Sequence, residues 1–435
     1  MSVGVSERFW IRNASVHASL LDRPAADPST ADDGFTRLDL EVAAGRLATI
    51  RASLGVAIRP GDIDMREGQV WPCFVDLHAH LDKGHVWPRR PNPAGDRPGA
   101  LAAVSADREA CWTRADVRRR MEFGLRCAWA HGTRAIRSHL DSHWSRPDDN
   151  WAAALEARAA WADRITLQLV GFAPLEVFAG PAGEALADRA ARAEGLLGAV
   201  VHAVTPELDA LLDRLLALAR ERDLDLDLHC DESSEAASFT LPRVAAAVLR
   251  AGFRRQVVCG HCTTLTLQGR DAAEAALDLV ERAGIAIVSL PLTNLYLQDA
   301  EGGCTPRWRG VTLVHELAAR GVPVAVGGDN CRDPFHAFGD HDMLEVFREA
   351  VRIAHLDRPY GQWPRAVTTT PARIMRLADP GGIAVGQPAD LVLFSARDFS
   401  ELLARPQADR RVLRAGVPID TTLPDYRELD DLVRG

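Results

Sequence analysis

The stretch HAHLDKGH, His78–His85, places three histidines, Asp82 and Lys83 within eight residues, shortly after the apolar run CFV. Neutral imidazole is the commonest side-chain ligand for zinc and related ions. In an extended strand, residues i and i+2 project from one face, so His78 and His80 can offer ring nitrogens to one ion ~2.0–2.1 Å away. A lone strand histidine is more often a satisfied core residue, and His-x-His alone is weak evidence. The pair gains weight because His139, His202, His229, His261 and Asp329 also close or occupy apolar runs. His85, beyond Gly84, is expected on a loop out of reach of the same ion. Lys83 is the only lysine among the basic residues of the chain. It reads either as a solvated loop cation or as a compact charge that holds substrate, or closes the first loop against an acid other than Asp82, where an arginine fork does not fit.

Something must bring these residues together. Apolar runs begin at Pro72, Arg134, Ile165, Gly198, Leu224, Gln256, Gly284 and Pro323, with amphipathic Ala/Leu/Arg-rich stretches between them. That alternation predicts a parallel sheet with crossover helices. In TRADVRRRMEFGLRCAWAHG, Thr113 supplies a cap, Val117, Met121, Leu125, Ala128 and Trp129 share a face, and Gly132 a stop. Eight such units suit an α/β fold of the (β/α)8 TIM-barrel type over 72–378, whose active site forms at the C-terminal strand ends. Prolines at 88, 91, 93 and 98 mark 84–112 as a long loop after the first strand. Both ends of the chain, 1–71 and 379–435, carry short strand patterns with turn residues and are expected to pair into a small β-sandwich.

Composition narrows the function classes. Of the 435 residues, 47% are hydrophobic and 26% charged, with a formal charge of −9, so no basic face for nucleic acid or anionic membrane is expected. No stretch approaches the ~20 apolar residues of a membrane span, and the first residues lack a secretion signal, which predicts a cytoplasmic enzyme. The eight cysteines are scattered and read as buried small hydrophobes. Cys259-Gly260-His261-Cys262 has the spacing of thiol-disulfide oxidoreductases, but it finishes a strand rather than opening a helix, which argues against redox chemistry.

FVDLHAHLDK, RSHLDS, ITLQLVGF, HCDE, GHCTT, GDNCRDPFHAFGDHDML and GGIAVGQPADLVLF together resemble the amidohydrolase superfamily, and within it the cytosine deaminase-like branch that includes N-isopropylammelide amidohydrolase. The resemblance implies that His78, His80, His229 and Asp329 bind one divalent ion, zinc or iron, that Glu232 shuttles protons, and that His261 orients and polarises the attacking water while Asp329 takes its proton. Leu81, Lys83, Asn330 and Phe335 are expected at the substrate. Such chemistry is reasonable, because coordination lowers the pKa of water from 15.7 to about 7. The departures from the branch argue against cytosine itself: where the branch carries a ring-reading glutamine after the third strand, GFAPLEVF places Pro174 and Leu175, and Asp329-Asn330 and Phe335 replace a paired aspartate and a tryptophan. The expected activity is metal-dependent hydrolytic deamination of an amino-substituted heterocycle, a cytosine-like pyrimidine, triazine or related ring. The alternatives are hydrolysis of a ring amide or N-alkyl amine and, remotely, a catalytically silent scaffold. The expected partner is a small heterocycle, with homo-oligomerisation left open.

Overall fold

The computed structural model describes residues 8–22, 34–300 and 302–434. Eight parallel strands follow one another around a sheet: β1 Phe74–Ala79, β2 Thr133–Asp141, β3 Thr166–Pro174, β4 Leu196–Val201, β5 Leu226–Cys230, β6 Val257–His261, β7 Ala286–Ser289 and β8 Val324–Val326. A bridge between Ala79 and Asp329 joins the segment just beyond the last strand to the first strand. It is made by Asp329 N–H donating to the His78 carbonyl at 2.7 Å and His80 N–H donating to the Asp329 carbonyl at 3.3 Å. Among the described residues, the sheet is thereby a nearly closed barrel of the TIM type, with helices in the crossovers.

Alternation along β1 decides what enters the barrel. Val75 and Leu77 pack in one buried cluster with Ala135, Val258, Ala286, Val288 and Ala325 of the other strands, together with Ala372, Ile374 and Met375. Beyond them, at the C-terminal end of the strand, His78 and His80 share a face and are buried together, their ring centres 5.4 Å apart. The pairing of β1 with β2 slips twice, next to Phe74 and between Asp76 and Ala79. Such irregularities re-aim side chains and are common beside active sites.

Two expectations change. The run from Pro72 is not one strand: Val70–Pro72 pairs antiparallel with Leu391–Leu393, and the chain crosses at Cys73, whose N–H donates to the Asp390 carbonyl at 2.9 Å, before β1 begins. Nor is 84–112 a loop throughout, because α1 occupies Arg97–Cys111. The Asp96 side chain caps it by accepting from Gly99 N–H, and Pro98 sits in the first turn, where its missing N–H would have had no partner. By contrast α2, Arg114–Ala130, starts as read: Thr113 accepts from Asp116 N–H, and Val117, Met121, Leu125 and Ala128 are buried, with Trp129 half-buried.

Beside the barrel lie two four-stranded sheets. One holds Arg46–Ala52, Phe35–Ala43, Arg8–His17 and Ile63–Asp64; the other holds Val417–Pro418, Arg411–Arg414, Leu391–Leu393 and Val70–Pro72. The second mixes both ends of the chain, giving a small sheet domain built from the termini. Trp71 joins it to the barrel through ring contacts with Phe74 and Phe347, and packs on Phe394 and Phe399 of the C-terminal segment. Among the described residues, no helix is long and apolar enough to cross a membrane.

Candidate active site

The strand ends deliver their polar residues to one point. The Nε2 atoms of His80 and His229 lie 3.1 Å apart. Asp329 Oδ1 lies 3.3 Å from His80 Nε2 and 3.6 Å from His78 Nε2. Asp329 itself takes a left-handed backbone conformation, φ 59°, which is uncommon for a residue with a side chain and concentrates at functional sites.

These buried groups lack the partners that burial normally demands. Both nitrogens of His78, Nδ1 of His80 and of His229, and both carboxylate oxygens of Asp329 have no hydrogen-bond partner among the described residues. An unpaired buried polar group costs ~1–3 kcal/mol, more when charged. Burial, reinforced by the neighbouring histidines, holds His78 and His229 well below the ordinary imidazole pKa, and burial with Lys83 nearby brings His80 to about 4. Three neutral imidazoles and a carboxylate thus face one another, and the Nε2 atoms of His80 and His229 meet only each other and Asp329 among the described residues. Ligands ~2.0–2.1 Å from one ion in a tetrahedron sit ~3.3 Å from each other, close to the 3.1–3.6 Å seen. The residues fit a divalent cation. His139 stands behind them, its ring 3.9 Å from that of His78 and its Nε2 3.1 Å from Asp227 Oδ1. Asp227 also accepts from Arg137 Nη1 at 2.7 Å. His78, His139 and His229 form an overlapping group whose ligand atoms also lie within 4.8 Å of one another.

A cavity of about 380 Å³ opens on this centre, within the ~300–1,000 Å³ range of small-molecule sites. His80, His229, His261, Asp329 and Glu232 line its floor, and Lys83, Asn330, Phe172, Pro174 and Phe335 its walls. Leu81 does not line it: the side chain is buried toward Gly124, and its N–H donates to Ser138 Oγ at 3.1 Å. Leu175 is also buried elsewhere, leaving Pro174 alone in the place of the missing glutamine.

Glu232 is buried, and Arg97 Nε, from the first turn of α1, donates to its Oε2 at 3.0 Å. His202 lies one residue beyond β4 rather than on it, with Nε2 3.5 Å from the same oxygen. Burial alone would raise the Glu232 pKa, but the charges of His261 and Arg97 and the His202 contact hold it well below the carboxylate range. His261, φ 67°, has its Nδ1 3.0 Å from the Asn294 amide nitrogen. An amide N–H can only donate, so the proton of a neutral His261 ring sits on Nε2, which has no partner among the described residues.

Lys83 is neither solvated nor exposed. Its Nζ is 3.1 Å from Asp141 Oδ1 and lies 5.4 and 5.0 Å from the ring centres of Phe172 and Phe335. Burial opposes the ammonium charge, yet Asp141, Asp82 and Asp333 outweigh it and hold its pKa above the ordinary value. Arg108 Nη1 donates to the other oxygen of Asp141 at 2.7 Å. His85 belongs to neither arrangement and is buried against Phe123 and His341. The Cys259–Cys262 pair is fully buried with free thiols, Cys262 pushed well above its ordinary pKa by burial, which removes any exposed thiolate for exchange.

The sequence reading missed Arg97, Phe172, Asp141, Asp227 and Asn294. Asp141 carried a signal, because it is two residues from His139 on β2 and so on the same face. Asn294 carried none, since it comes from the short helix Pro291–Leu297 after β7.

A pterin deaminase from Rhizobium rhizogenes is 51% identical over 434 residues, covering 100% of this chain and 98% of the relative. The N-isopropylammelide isopropyl amidohydrolase of Pseudomonas sp. (strain ADP) is 25% identical over 366 residues, covering 82% of this chain and 87% of the relative. A 5-methylcytosine deaminase from Klebsiella pneumoniae, solved with 5-fluorocytosine, superposes with a TM-score of 0.80 at 24% identity over 96% of this chain and 98% of that one, a likeness of fold. The model of the amidohydrolase family matches residues 113–420. With its strand-end histidines, nearly closed barrel and full-length relative, the chain belongs to the amidohydrolase family and is a hydrolase of non-peptide C–N bonds.

Proposed function

We propose that this protein hydrolyses the exocyclic amine from an aminated aromatic heterocycle of the pterin class, releasing ammonia, with one divalent ion, zinc or iron, held by His78, His80, His229 and Asp329. The observation that carries the reading is the convergence of buried imidazole Nε2 atoms and the Asp329 carboxylate, in contact only with one another among the described residues, on one point at the floor of a ring-sized cavity. A bound ion supplies a Lewis acid that makes water nucleophilic at neutral pH.

The chain's own groups do the rest. Glu232 starts as a carboxylate at the cavity floor. It accepts the proton of the attacking water, passes it to a ring nitrogen, and so prepares the amine to leave as ammonia. Arg97 and His202 hold its Oε2, leaving Oε1 for the transfer. Asp329 accepts the second proton of the water, the hydroxyl proton of the tetrahedral centre, as the ring carbonyl forms and the C–N bond breaks, and that proton completes the departing amine as ammonia. His261, with its proton placed on Nε2 by Asn294, donates to the oxygen that becomes negative as the ring carbon turns tetrahedral. Lys83, Phe172, Phe335 and Asn330 hold the ring: the two aromatic faces exclude water, and the Lys83–Asp141 pair and the Asn330 amide offer charge and hydrogen bonds to its polar edge. The 51% identity of a pterin deaminase along the whole chain supports a fused pteridine over a single pyrimidine.

The test incubates metal-loaded protein with pterin, cytosine and aminated and N-alkylated triazines, assaying ammonia, alkylamine and product. One ammonia per pterin, at a kcat/KM at least tenfold above that for cytosine, supports the reading. Release of alkylamine in preference to ammonia replaces it with N-alkyl amine hydrolysis, and no C–N cleavage on any ring contradicts it.

A further inference from the structure

A second group of buried metal-binding side chains lies outside the cavity. His85 follows β1, while Cys331 and His341 stand on the segment after β8, and one ligand atom from each falls within 4.8 Å of the others. All three side chains are buried, and Cys331 is a free thiol. Neither nitrogen of His85 has a hydrogen-bond partner among the described residues, nor has Nε2 of His341. Imidazoles buried only for packing normally keep at least one hydrogen bond.

The surroundings hold these rings in place without satisfying them. The two segments are laced by the backbone: His85 N–H donates to the Cys331 carbonyl at 3.1 Å, and Trp87 N–H to the Arg332 carbonyl at 2.8 Å. His341 has φ 55°, and a Cβ at position 124 would come within 2.9 Å of its Nε2, so Gly124 of α2 makes room for the ring. Phe123 and Tyr426 cover His85, their ring centres 4.9 and 6.4 Å from its own. Asp340, the adjacent acid, is already engaged by the Tyr426 hydroxyl at 2.6 Å and by His131 Nε2 at 3.0 Å.

We propose that His85, Cys331 and His341 form a second metal site, separate from the catalytic centre, that takes a zinc-class ion and cross-links the segments following β1 and β8. One thiolate and two neutral imidazoles select a late first-row ion over magnesium or calcium, which require oxygen donors. A closed, aromatic-covered setting suits a structural role. These are the segments that carry Lys83 and Asn330, so the ion stiffens the cavity wall without touching the reacting ring. Binding expels the thiol proton to solvent.

The two centres differ in one spectroscopic respect, because only this one contains sulfur. Chelator-stripped full-length protein is titrated with cobalt(II), following the thiolate-to-cobalt charge-transfer band and the metal retained after gel filtration. Wild type is expected to develop the band, Cys331→Ser to lack it and retain one equivalent less, and His80→Ala to keep it. Loss of metal in His80→Ala, with the band intact, reports on the catalytic centre alone. If Cys331→Ser does not fold, by circular dichroism, His85→Gln keeps every thiol and is expected to show the same shortfall of one equivalent. A cobalt-saturated wild type with no thiolate band overturns the proposal, as does a band that persists undiminished in Cys331→Ser or in His85→Gln.

Discussion

The barrel rim and the terminal sheets both bury polar groups, but unpartnered ones converge at the rim, whereas near the sheets they are scattered single atoms such as Gln69 Nε2 and Gln387 Oε1. In the sheets, the buried Arg12 guanidinium is held by Asp39 at 3.0 Å and Asp62 at 3.4 Å, and the Trp71 indole N–H by Gln69 at 2.9 Å. Where the C-terminal segment returns to the barrel, Arg410 grips Asp342 with two bonds of 2.7 and 2.6 Å. At the rim, His78, His80, His229, His261 and Asp329 are just as buried but keep nitrogens and oxygens unengaged. Satisfied polar groups hold a structure; unsatisfied ones that converge mark where something else must bind. Substitutions in the sheets should therefore be read in stability, and those at the rim in binding and turnover.

The largest effect is expected for Asp329→Ala or His80→Ala, which should lose the catalytic ion and reduce turnover to background; metal analysis and an ammonia assay on the same preparation check both. Glu232→Gln should retain its ion and fold while kcat falls ~10²–10⁴-fold, the range for general acid-base groups. Near-normal turnover in that variant would remove Glu232 from the mechanism. Asp39→Ala sharpens the contrast from the other side. It leaves the Arg12 charge buried with only Asp62 and should cost ~3–5 kcal/mol in unfolding free energy, with kcat of the folded protein unchanged; a fall in kcat without a fall in the denaturant midpoint would blur the distinction.

Acidification probes the same contrast in metal-free protein. The folded His80 takes a proton only at about 4, whereas the unfolded chain does so near the ordinary 6.5. Between those values the unfolded chain binds the His80 proton and the folded one does not, so His80 alone lowers stability by about 3 kcal/mol at the lower end of the window, while buried Asp76 and Asp82, raised to about 7, pull the other way. A denaturant midpoint that shifts by the same amount from pH 7 to pH 4.5 in metal-free wild type and in His80→Gln would mean that His80 is not held neutral. The smallest effect is expected for Lys83→Arg, because the ammonium sits between Asp141 and the rings of Phe172 and Phe335. A planar guanidinium should raise KM or lower kcat several-fold with metal content unchanged; wild-type kinetics would make the lone lysine incidental.

Much of the rim was legible in the residue pattern because strand geometry is simple. The two-residue period put His78 and His80 on one face, and strand ends of a parallel barrel converge, so His229, His261 and Asp329 followed. The fold class was legible for the same reason, from alternating apolar runs and amphipathic segments. What escaped was whatever depends on elements meeting in space. The Arg97 contact to Glu232 needs α1, which was hidden because four prolines suggested loop, although Asp96 and Pro98 together make a helix start. The crossing at Cys73 escaped because Val70–Pro72 and β1 read as one apolar run, while their partners lie far apart in the chain, at Leu391–Leu393 and at β2. His85 was read as a bystander because its neighbours Cys331 and His341 come from the far end of the barrel.

The central claim is that an ion held by His78, His80, His229 and Asp329 enables hydrolytic deamination of a ring. Ammonia release from pterin, measured on one preparation as purified, after exhaustive chelation, and after restoring one equivalent of zinc or iron, tests it most directly. Turnover that vanishes on chelation and returns with the ion in wild type, but not in Asp329→Ala, is the predicted result. Undiminished ammonia release from metal-free wild-type protein would contradict it.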